Sequence, residues 1–194
     1  DCSAGIDGPR KRGTDMTGVI FATLREAAPF LGLTGQRHED RVWPAFYANQ
    51  PSGGVVTIIS GMGPGAAGYA ARAAIADHGV HRLVNAGICG ALRPGADWMP
   101  GAVFVVKRVT AVDFTAGSQT SAFDCSRQTW QRLPIADLVT CDRPLFDAGL
   151  RDKLAAWGAL VDMEGASVAA AARDGGVPCT LIKGITDFAA EGER

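Results

Sequence analysis

The fold is decided near the C-terminal end of the chain, by the stretches Val161-Asp162-Met163-Glu164-Gly165-Ala166-Ser167 and Ile182-Lys183-Gly184-Ile185-Thr186-Asp187-Phe188-Ala189. The first stretch places a carboxylate at the start of an Ala-rich helical segment. The second places another carboxylate just past a run of residues typical of a buried strand. Open α/β sheets bind ligands beyond the carboxyl ends of their strands, so these stretches predict an α/β fold with a site at that edge.

Upstream of these stretches, strand-like apolar runs alternate with helical segments. Val55–Ile59 is a β-branched run bounded by glycines, which is typical of a strand covered on both faces. It leads into a Gly-rich turn, a helix to about His78 and a further strand, Arg82–Ala86, after which Gly87–Leu92 is expected to form a Gly-rich loop. The alternation predicts a single-domain three-layer αβα sandwich with a twisted, mostly parallel central sheet.

The composition is that of one globular domain. A chain of 194 residues with 47% hydrophobic and 20% charged residues has enough apolar content for one sizeable core. Residues 1–15 are polar, Gly-rich and basic, without an apolar run of signal-peptide length, and predict a disordered leader or upstream extension. The domain is therefore expected over residues 16–194.

Charge, cysteines and histidines exclude several classes of partner. A formal net charge of -1, from 19 basic and 20 acidic residues, predicts no binding to nucleic acid and no membrane insertion. The odd, widely separated cysteines lack a CxxC pair and favour a reducing compartment, the cytoplasm. Because the histidines show no recognised ligand spacing, we expect no metal. The expected partner is a small molecule.

The acidic residues near the strand ends have a plain structural interpretation and a functional one. Glu26, Asp162 and Glu164 are candidates for first-turn residues that compensate a helix dipole, and Asp187 for a helix N-cap. That interpretation leaves unexplained why apolar strands end repeatedly in Gly-rich or acidic turns. Since strand ends at one edge converge on a crevice, Glu26, the Gly61–Gly65 turn, Glu164 and Asp187 are expected to surround one ligand.

A Gly-rich turn after a strand is also found in dinucleotide-binding folds, but the pattern here differs. The sixth position of the turn is Ala66, and the next strand ends at Asn85, where a cofactor-binding acidic residue would be expected. We therefore expect no cofactor.

Four motifs occur in order, and together they resemble the nucleoside phosphorylase and nucleosidase superfamily, most closely the 5′-methylthioadenosine/S-adenosylhomocysteine nucleosidases. The motifs are Ser60-Gly61-Met62-Gly63, Val84-Asn85-Ala86-Gly87-Ile88-Cys89-Gly90-Ala91-Leu92, Val161-Asp162-Met163-Glu164-Gly165-Ala166 and Gly184-Ile185-Thr186-Asp187-Phe188-Ala189. The resemblance runs from about Gly18 to Ala189. It implies a nucleoside phosphorylase-like fold and a homodimeric enzyme.

The resemblance also implies a role for each matching residue. Asp187 corresponds to the aspartate that acts as the acid at the purine N7, and Glu26 to the glutamate that orients the attacking water. Glu164 corresponds to the carboxylate that holds the ribose hydroxyls, and Met163 to the residue packed against the sugar. The other expected substrate contacts are Gly63, Ala86, Gly87 and, as an apolar wall around the base, Leu145, Phe146 and Phe188.

These residue types suit the cleavage of an N-glycosidic bond. The reaction builds positive charge on the ribose and negative charge on the departing base, so it needs an acid at the base and carboxylates beside the sugar. We therefore expect hydrolysis of a purine nucleoside of the methylthioadenosine/S-adenosylhomocysteine type, with release of adenine.

Two alternatives stay open. The first is a phosphate-dependent phosphorylase, acting for example on an adenosylated lipid such as adenosylhopane. Phosphorylases of the superfamily tend to carry Arg and Ser in the second motif, where this chain has Asn85 and Ile88, and neither neutralises phosphate. Arg25 and Arg72 are other sources of positive charge. The second alternative is a non-catalytic nucleoside-binding domain.

The sequence departs from the family pattern at two places near its end. Thr186 stands where many relatives have Ser. The sequence ends at Arg194, seven residues after Asp187, whereas relatives continue into a long final helix. The expectation for residues 16–194 is therefore a nucleoside phosphorylase-like domain without that helix.

Overall fold

The computed structural model describes residues 16–35, 45–48, 54–93, 95, 98–113, 115, 118–126 and 132–189. The leader expected over residues 1–15 lies outside these ranges. In chain order the elements are β1 (Thr17–Phe21), α1 (Leu24–Thr34), β2 (Ala45–Ala48), β3 (Val55–Ile59), α2 (Pro64–Ala76), β4 (Arg82–Ala91), β5 (Val103–Asp113), β6 (Ser118–Asp124), β7 (Ile135–Thr140), α3 (Ala148–Leu154), β8 (Leu160–Asp162), α4 (Gly165–Asp174) and β9 (Cys179–Phe188). None of these helices is both long and apolar enough to cross a membrane.

The strands form one mixed sheet that is partly closed. Its neighbours run in the order β2-β3-β1-β4-β8-β7-β5-β6, and β9 pairs with both β4 and β5. The strands β4, β8, β7, β5 and β9 therefore close a ring, from which β1, β3 and β2 extend on one side. The predicted α/β class is confirmed.

The closed ring departs from the layered sandwich that the alternation of elements predicted. Of the nine ladders between the described strands, five are parallel and four are antiparallel. Register shifts interrupt the long strand β4 between Cys89 and Gly90, and β5 between Val106 and Arg108. Such irregularities bend a strand and increase its twist, which allows the sheet to curl and close.

The second Gly-rich stretch is a strand and not the expected loop. The strand β4 continues to Ala91, because its residues pair with β9 from Leu83 to Ala91 and with β8 at Gly90 and Ala91. The last strand also extends further than expected, so Thr186 and Asp187 lie inside β9. Asp187 is therefore not a helix N-cap.

Small residues bring the two Ala-rich helices close together on one face of the sheet. In α2 the buried positions are Ala67, Gly68, Ala70, Ala71 and Ala74, and those of α4 include Ala166, Val168 and Ala169. A Cβ built on Gly68 would lie 3.5 Å from the Cβ of Ser167, which shows how closely the first turns approach. The N-terminal ends of both helices are thereby placed at the same edge of the sheet.

Candidate active site

A cavity of about 500 Å³ lies beside the ends of β4, β8 and β9. Its volume is within the range of small-molecule pockets, and its lining is mostly apolar. Five of the residues expected at the site line it: Leu145, Phe146, Met163, Asp187 and Phe188. Leu145 is buried, whereas Phe146 is 67% exposed at the rim.

Asp187 lies on the wall of this cavity, near the end of β9. Its Oδ2 accepts a hydrogen bond from the Thr186 hydroxyl at 2.7 Å, which orients the carboxylate. A Cβ built on Gly90 would lie 3.2 Å from Asp187 Oδ1 and 3.0 Å from the Cβ of Ala189. A glycine at position 90 is therefore what lets β4 approach the carboxylate this closely.

Glu164 is buried at the turn between β8 and α4. Its Oε1 accepts a hydrogen bond of 2.7 Å from the Gly63 backbone N–H, at the start of α2. Burial raises the pKa of Glu164, as do the charges of Asp162 and Glu26, while the Gly63 hydrogen bond and Lys183 lower it; the net pKa is above the ordinary value. Gly63, which was expected to contact the substrate, is thus hydrogen-bonded to Glu164, the carboxylate expected to bind the ribose.

Glu26 has the helix-start role that its position in the sequence allowed. It forms a capping box with Thr23 at the N-terminus of α1, and its Oε2 accepts from the backbone N–H groups of Ala22 at 3.1 Å and Thr23 at 3.2 Å. The same oxygen would lie 3.5 Å from a Cβ built on Gly87 of β4. The cap therefore fixes the carboxylate against β4. Ala86, the residue before Gly87, packs against the apolar cluster beneath α1.

Sequence reasoning missed a buried ion pair at the centre of the site. Lys183 is 1% exposed, and its Nζ lies 2.8 Å from Asp162 Oδ2. Burial lowers the pKa of Lys183, but the charge and hydrogen bond of Asp162, with the charge of Glu164, outweigh it and raise that pKa above its usual value. A lysine inside an apolar strand was the available signal, because buried ammonium groups require a partner.

Asp162 also organises the surrounding backbone. Its Oδ1 accepts from the Thr140 hydroxyl at 2.6 Å, and its Oδ2 accepts from the Gly165 N–H at 2.8 Å. Thr140 in turn accepts from the Ala166 N–H at 3.0 Å. Asp162 is therefore an anchor for the first turn of α4.

Lys183, Glu26, Asp162 and Glu164 form a compact group, called here the charged cluster. A Cβ built on Gly87 would lie 3.5 Å from Glu26 Oε2 and 3.8 Å from Lys183 Nζ, so both groups lie beside this position of β4. With every group ionised, three negative charges face one positive charge. In that state the cluster has excess negative charge at the sheet edge beside the cavity.

The two histidines among the described residues lie away from this edge. His78 follows α2 and His81 precedes β4, so both are at the opposite edge of the sheet from the cavity, and both are exposed. Within the described ranges, no three His, Cys, Asp or Glu side chains are grouped so that they could hold a metal ion.

The family follows from comparison of the whole chain. A family model described as the phosphorylase superfamily matches residues 17–156 and 138–194, nearly the whole sequence. The chain belongs to this superfamily. As a member of the phosphorylase superfamily it is an N-glycosidase or a closely related nucleoside phosphorylase, as the four motifs indicated. No match was found among curated proteins.

Solved structures share the fold. A mutant futalosine hydrolase of Helicobacter pylori has a TM-score of 0.78 and 20% identity, over 90% of this chain and 86% of that chain. The 5′-methylthioadenosine/S-adenosylhomocysteine nucleosidase of the same organism gives 0.78 and 20%, over 91% and 86%. An S-adenosylhomocysteine nucleosidase of Streptococcus pyogenes gives 0.75 and 20%, over 90% and 84%. At 20% identity, these likenesses show that the chain shares the fold of these structures.

Proposed function

We propose that this enzyme hydrolyses the N-glycosidic bond of a purine nucleoside of the methylthioadenosine/S-adenosylhomocysteine type and releases adenine. The observation that carries the proposal is the charged cluster, which lies at the same sheet edge as the cavity and Asp187. A nucleosidase needs an acid facing the base and negative charge near the sugar, and this arrangement supplies both. Relatives of the same fold include nucleosidases for such substrates.

In the proposed mechanism the base occupies the apolar cavity between Leu145, Phe146 and Phe188. Asp187 gives its proton to N7 of the purine as the bond between base and ribose breaks, so that the base leaves as neutral adenine. Glu164 accepts hydrogen bonds from the ribose hydroxyls, and Met163 packs against the sugar. Glu26 orients the water molecule whose oxygen adds to the ribose carbon. Glu26 also accepts the proton that this water loses.

The charges of the site favour water over phosphate. A sugar with developing positive charge is stabilised by the excess negative charge of the cluster, whereas a phosphate anion is repelled by it. The one ammonium of the cluster is already paired with Asp162 at 2.8 Å. The side chain of Ile88, on the wall of the cavity and 51% exposed, has no hydrogen-bond donor for an anion.

One observation favours phosphorolysis as a second candidate. Arg143 lines the cavity and is a cation close to the proposed base site. Its guanidinium lies 3.3 Å from Asp142, which offsets part of that charge. Arg25 and Arg72, the other cations considered from the sequence, are exposed on helices and do not line the cavity.

The test is adenine release from methylthioadenosine by the purified protein, with and without phosphate, with the sugar product identified each time. We expect free methylthioribose in phosphate-free buffer. Asp187→Asn keeps the shape of the side chain but cannot donate the proton in the same way, and should lower kcat about 10²- to 10⁴-fold. Asp124→Asn, an exposed change on β6, is the matched control and should leave kcat unchanged.

Each other result has a meaning. Release only with phosphate, as the sugar 1-phosphate, would replace hydrolysis by phosphorolysis. Full activity of Asp187→Asn would remove Asp187 from the mechanism. Binding of the nucleoside without turnover under either condition would favour the non-catalytic alternative.

The proposal includes a cytoplasmic homodimer, the state that the resemblance implies. The exposed apolar side chains at the cavity rim, Phe146 and Ile88, are suited to such an interface. Sedimentation velocity should give a species of twice the chain mass of 20.2 kDa. A monomer over the micromolar range would contradict it.

A further inference from the structure

The ion pair of the charged cluster joins two strands that are not hydrogen-bonded to each other in the described sheet. Lys183 lies on β9 and Asp162 at the end of β8, and both strands pair with β4, which lies between them. The pair lies beside Gly87 of β4, where a built Cβ would be 3.8 Å from Lys183 Nζ, an ordinary van der Waals distance.

The two ends of this pair carry the two halves of the proposed site. Asp162 stands two residues before Glu164, at the turn into α4, and Lys183 stands four residues before Asp187 on the same strand. Asp162 also holds the N–H of Gly165, the first residue of α4. The ion pair therefore sets the position of the Glu164 turn relative to the strand of Asp187.

Lys183 is also the cation that acts on Glu164. The groups that face Glu164 come from four elements: the carboxylates of Asp162 on β8 and Glu26 on α1, the ammonium of Lys183 on β9, and the Gly63 N–H before α2. Among these, Lys183 and the Gly63 N–H favour the ionised carboxylate. Without Lys183, burial and the charges of Asp162 and Glu26 would raise the pKa of Glu164, and only the Gly63 hydrogen bond would lower it.

We propose that Lys183 is a positioning residue, which holds the Glu164 turn against β9 through Asp162 and supplies a positive charge that favours the Glu164 carboxylate, the group that accepts hydrogen bonds from the ribose hydroxyls. The proposal rests on the proposed function only for the role of Glu164 towards ribose. Its geometric and electrostatic parts concern the protein alone.

The first test is therefore made without substrate. Protein labelled with ¹³C at the glutamate carboxyl is titrated by NMR, and the Glu164 signal is identified by its loss in Glu164→Gln. Lys183→Met keeps an unbranched side chain of nearly the same length and removes the charge, and should move the titration midpoint of Glu164 upward by about one pH unit. Lys107→Met makes the same chemical change at an exposed position on β5 and should leave the midpoint unchanged.

The titration midpoint of Glu164 tests whether the charge of Lys183 acts on Glu164. An upward movement in Lys183→Met alone supports the proposal, and an unchanged midpoint overturns it. Because Lys183→Met leaves Asp162 buried without its cation, the variant is expected to lose stability. If it does not fold, Asp162→Asn is compared with Asp162→Asn/Lys183→Met, in which position 162 carries no charge. The Glu164 midpoint should again be higher in the variant that lacks the lysine.

The second test uses the activity. In Lys183→Met, the acidic limb of the pH profile of kcat/KM should move to higher pH by the same amount as the NMR midpoint. At pH values below that limb, KM should rise by a larger factor than kcat falls. A purely structural role would lower the unfolding temperature without moving the limb. A wild-type enzyme that releases no adenine would refute the proposed function, while the NMR result would still stand or fall by itself.

Discussion

At the scale of single residues, Glu26 shows how one carboxylate serves both the fold and the proposed chemistry. Its Oε2 accepts hydrogen bonds from the backbone N–H groups of Ala22 and Thr23. Neither of these two hydrogen bonds involves the other carboxylate oxygen, Oε1. A carboxylate with one oxygen fixed by the backbone is well oriented to direct a water molecule with the other.

The two roles can be separated by a pair of substitutions. Glu26→Gln keeps an amide oxygen that can accept from the same N–H groups, so stability should change little, while kcat should fall about 10²-fold or more. Thr23→Ala removes the hydroxyl that accepts from the Glu26 N–H and should cost about 1 kcal/mol of unfolding free energy with kcat nearly retained. Thermal melts and adenine release measure both. Full activity of Glu26→Gln would leave Glu26 as a helix cap alone.

The residues of the site differed in how far the sequence revealed them. Asp187, Glu164 and Glu26 each follow a strand-like run, so their place at one sheet edge could be predicted from local pattern. Lys183 could not be placed, because its partner Asp162 is 21 residues away and meets it only when the ring of strands closes. The predicted roles in catalysis and substrate binding stay predictions.

At the scale of elements, the start of α4 packs tightly against the sheet. A Cβ built on Gly165 would lie 2.7 Å from Leu181 Cδ2, 2.8 Å from Leu138 Cδ2 and 3.0 Å from Asp162 Oδ2. Any side chain there pushes the helix away from the sheet and from the carboxylate that anchors it.

Gly165→Ala should therefore lower the unfolding free energy by about 1–3 kcal/mol, the usual range for overpacking a core. The adjacent Glu164 should be displaced with the helix, so KM should also rise. Gly32→Ala is the matched control, because a Cβ there meets nothing within 4 Å and α1 should gain stability from the better helix former. Chemical denaturation of both variants measures the difference, and equal stabilities would contradict the packing argument.

Elements with a strong local signal were predicted well. The bounds of β3 are those predicted from the β-branched run Val55–Ile59. The Gly-rich half of β4 was wrongly expected to be a loop, because glycine has low strand propensity and its ladders to β9 and β8 come from distant parts of the chain. Tertiary pairing decided that segment.

At the scale of the whole molecule, Glu164 ties stability to pH. Its pKa in the folded protein is raised above the ordinary 4.5 by burial and by Asp162, so the folded state binds this proton more tightly than the unfolded state. The stability that goes with the bound proton is lost as pH rises from the unfolded value through the folded one. Relative to the protonated carboxyl, the ionised carboxylate therefore destabilises the fold.

Glu164→Gln should accordingly be more stable than the wild type near neutral pH, by roughly 2–4 °C in unfolding temperature if the gain is about 1 kcal/mol. The advantage should shrink at about pH 4, where the wild-type carboxyl also carries its proton. Thermal melts at the two pH values measure it. A variant less stable than the wild type near neutral pH would show that the ionised carboxylate contributes to folding. Adenine release by the variant should be strongly reduced.

The architecture could be predicted only to the level of class and family. Alternating strands and helices gave the α/β class, and four ordered motifs gave the superfamily that the whole chain matches. Closure of the ring depends on two antiparallel ladders, β4 with β8 and β5 with β9, and on register shifts within long strands. None of these features has a local signature, since each results from contacts between distant segments.

The ring also has a consequence for how the protein is made. The strand that closes the ring is β9, the last described element. Leu83 of β4 pairs with Cys179, which is synthesised 96 residues later. While the chain leaves the ribosome, β4 and β5 therefore present unpaired apolar edges. Long-range pairing is slow, and such edges are sites of aggregation, so the yield of folded enzyme should depend on chaperones and on the speed of translation over the final strand.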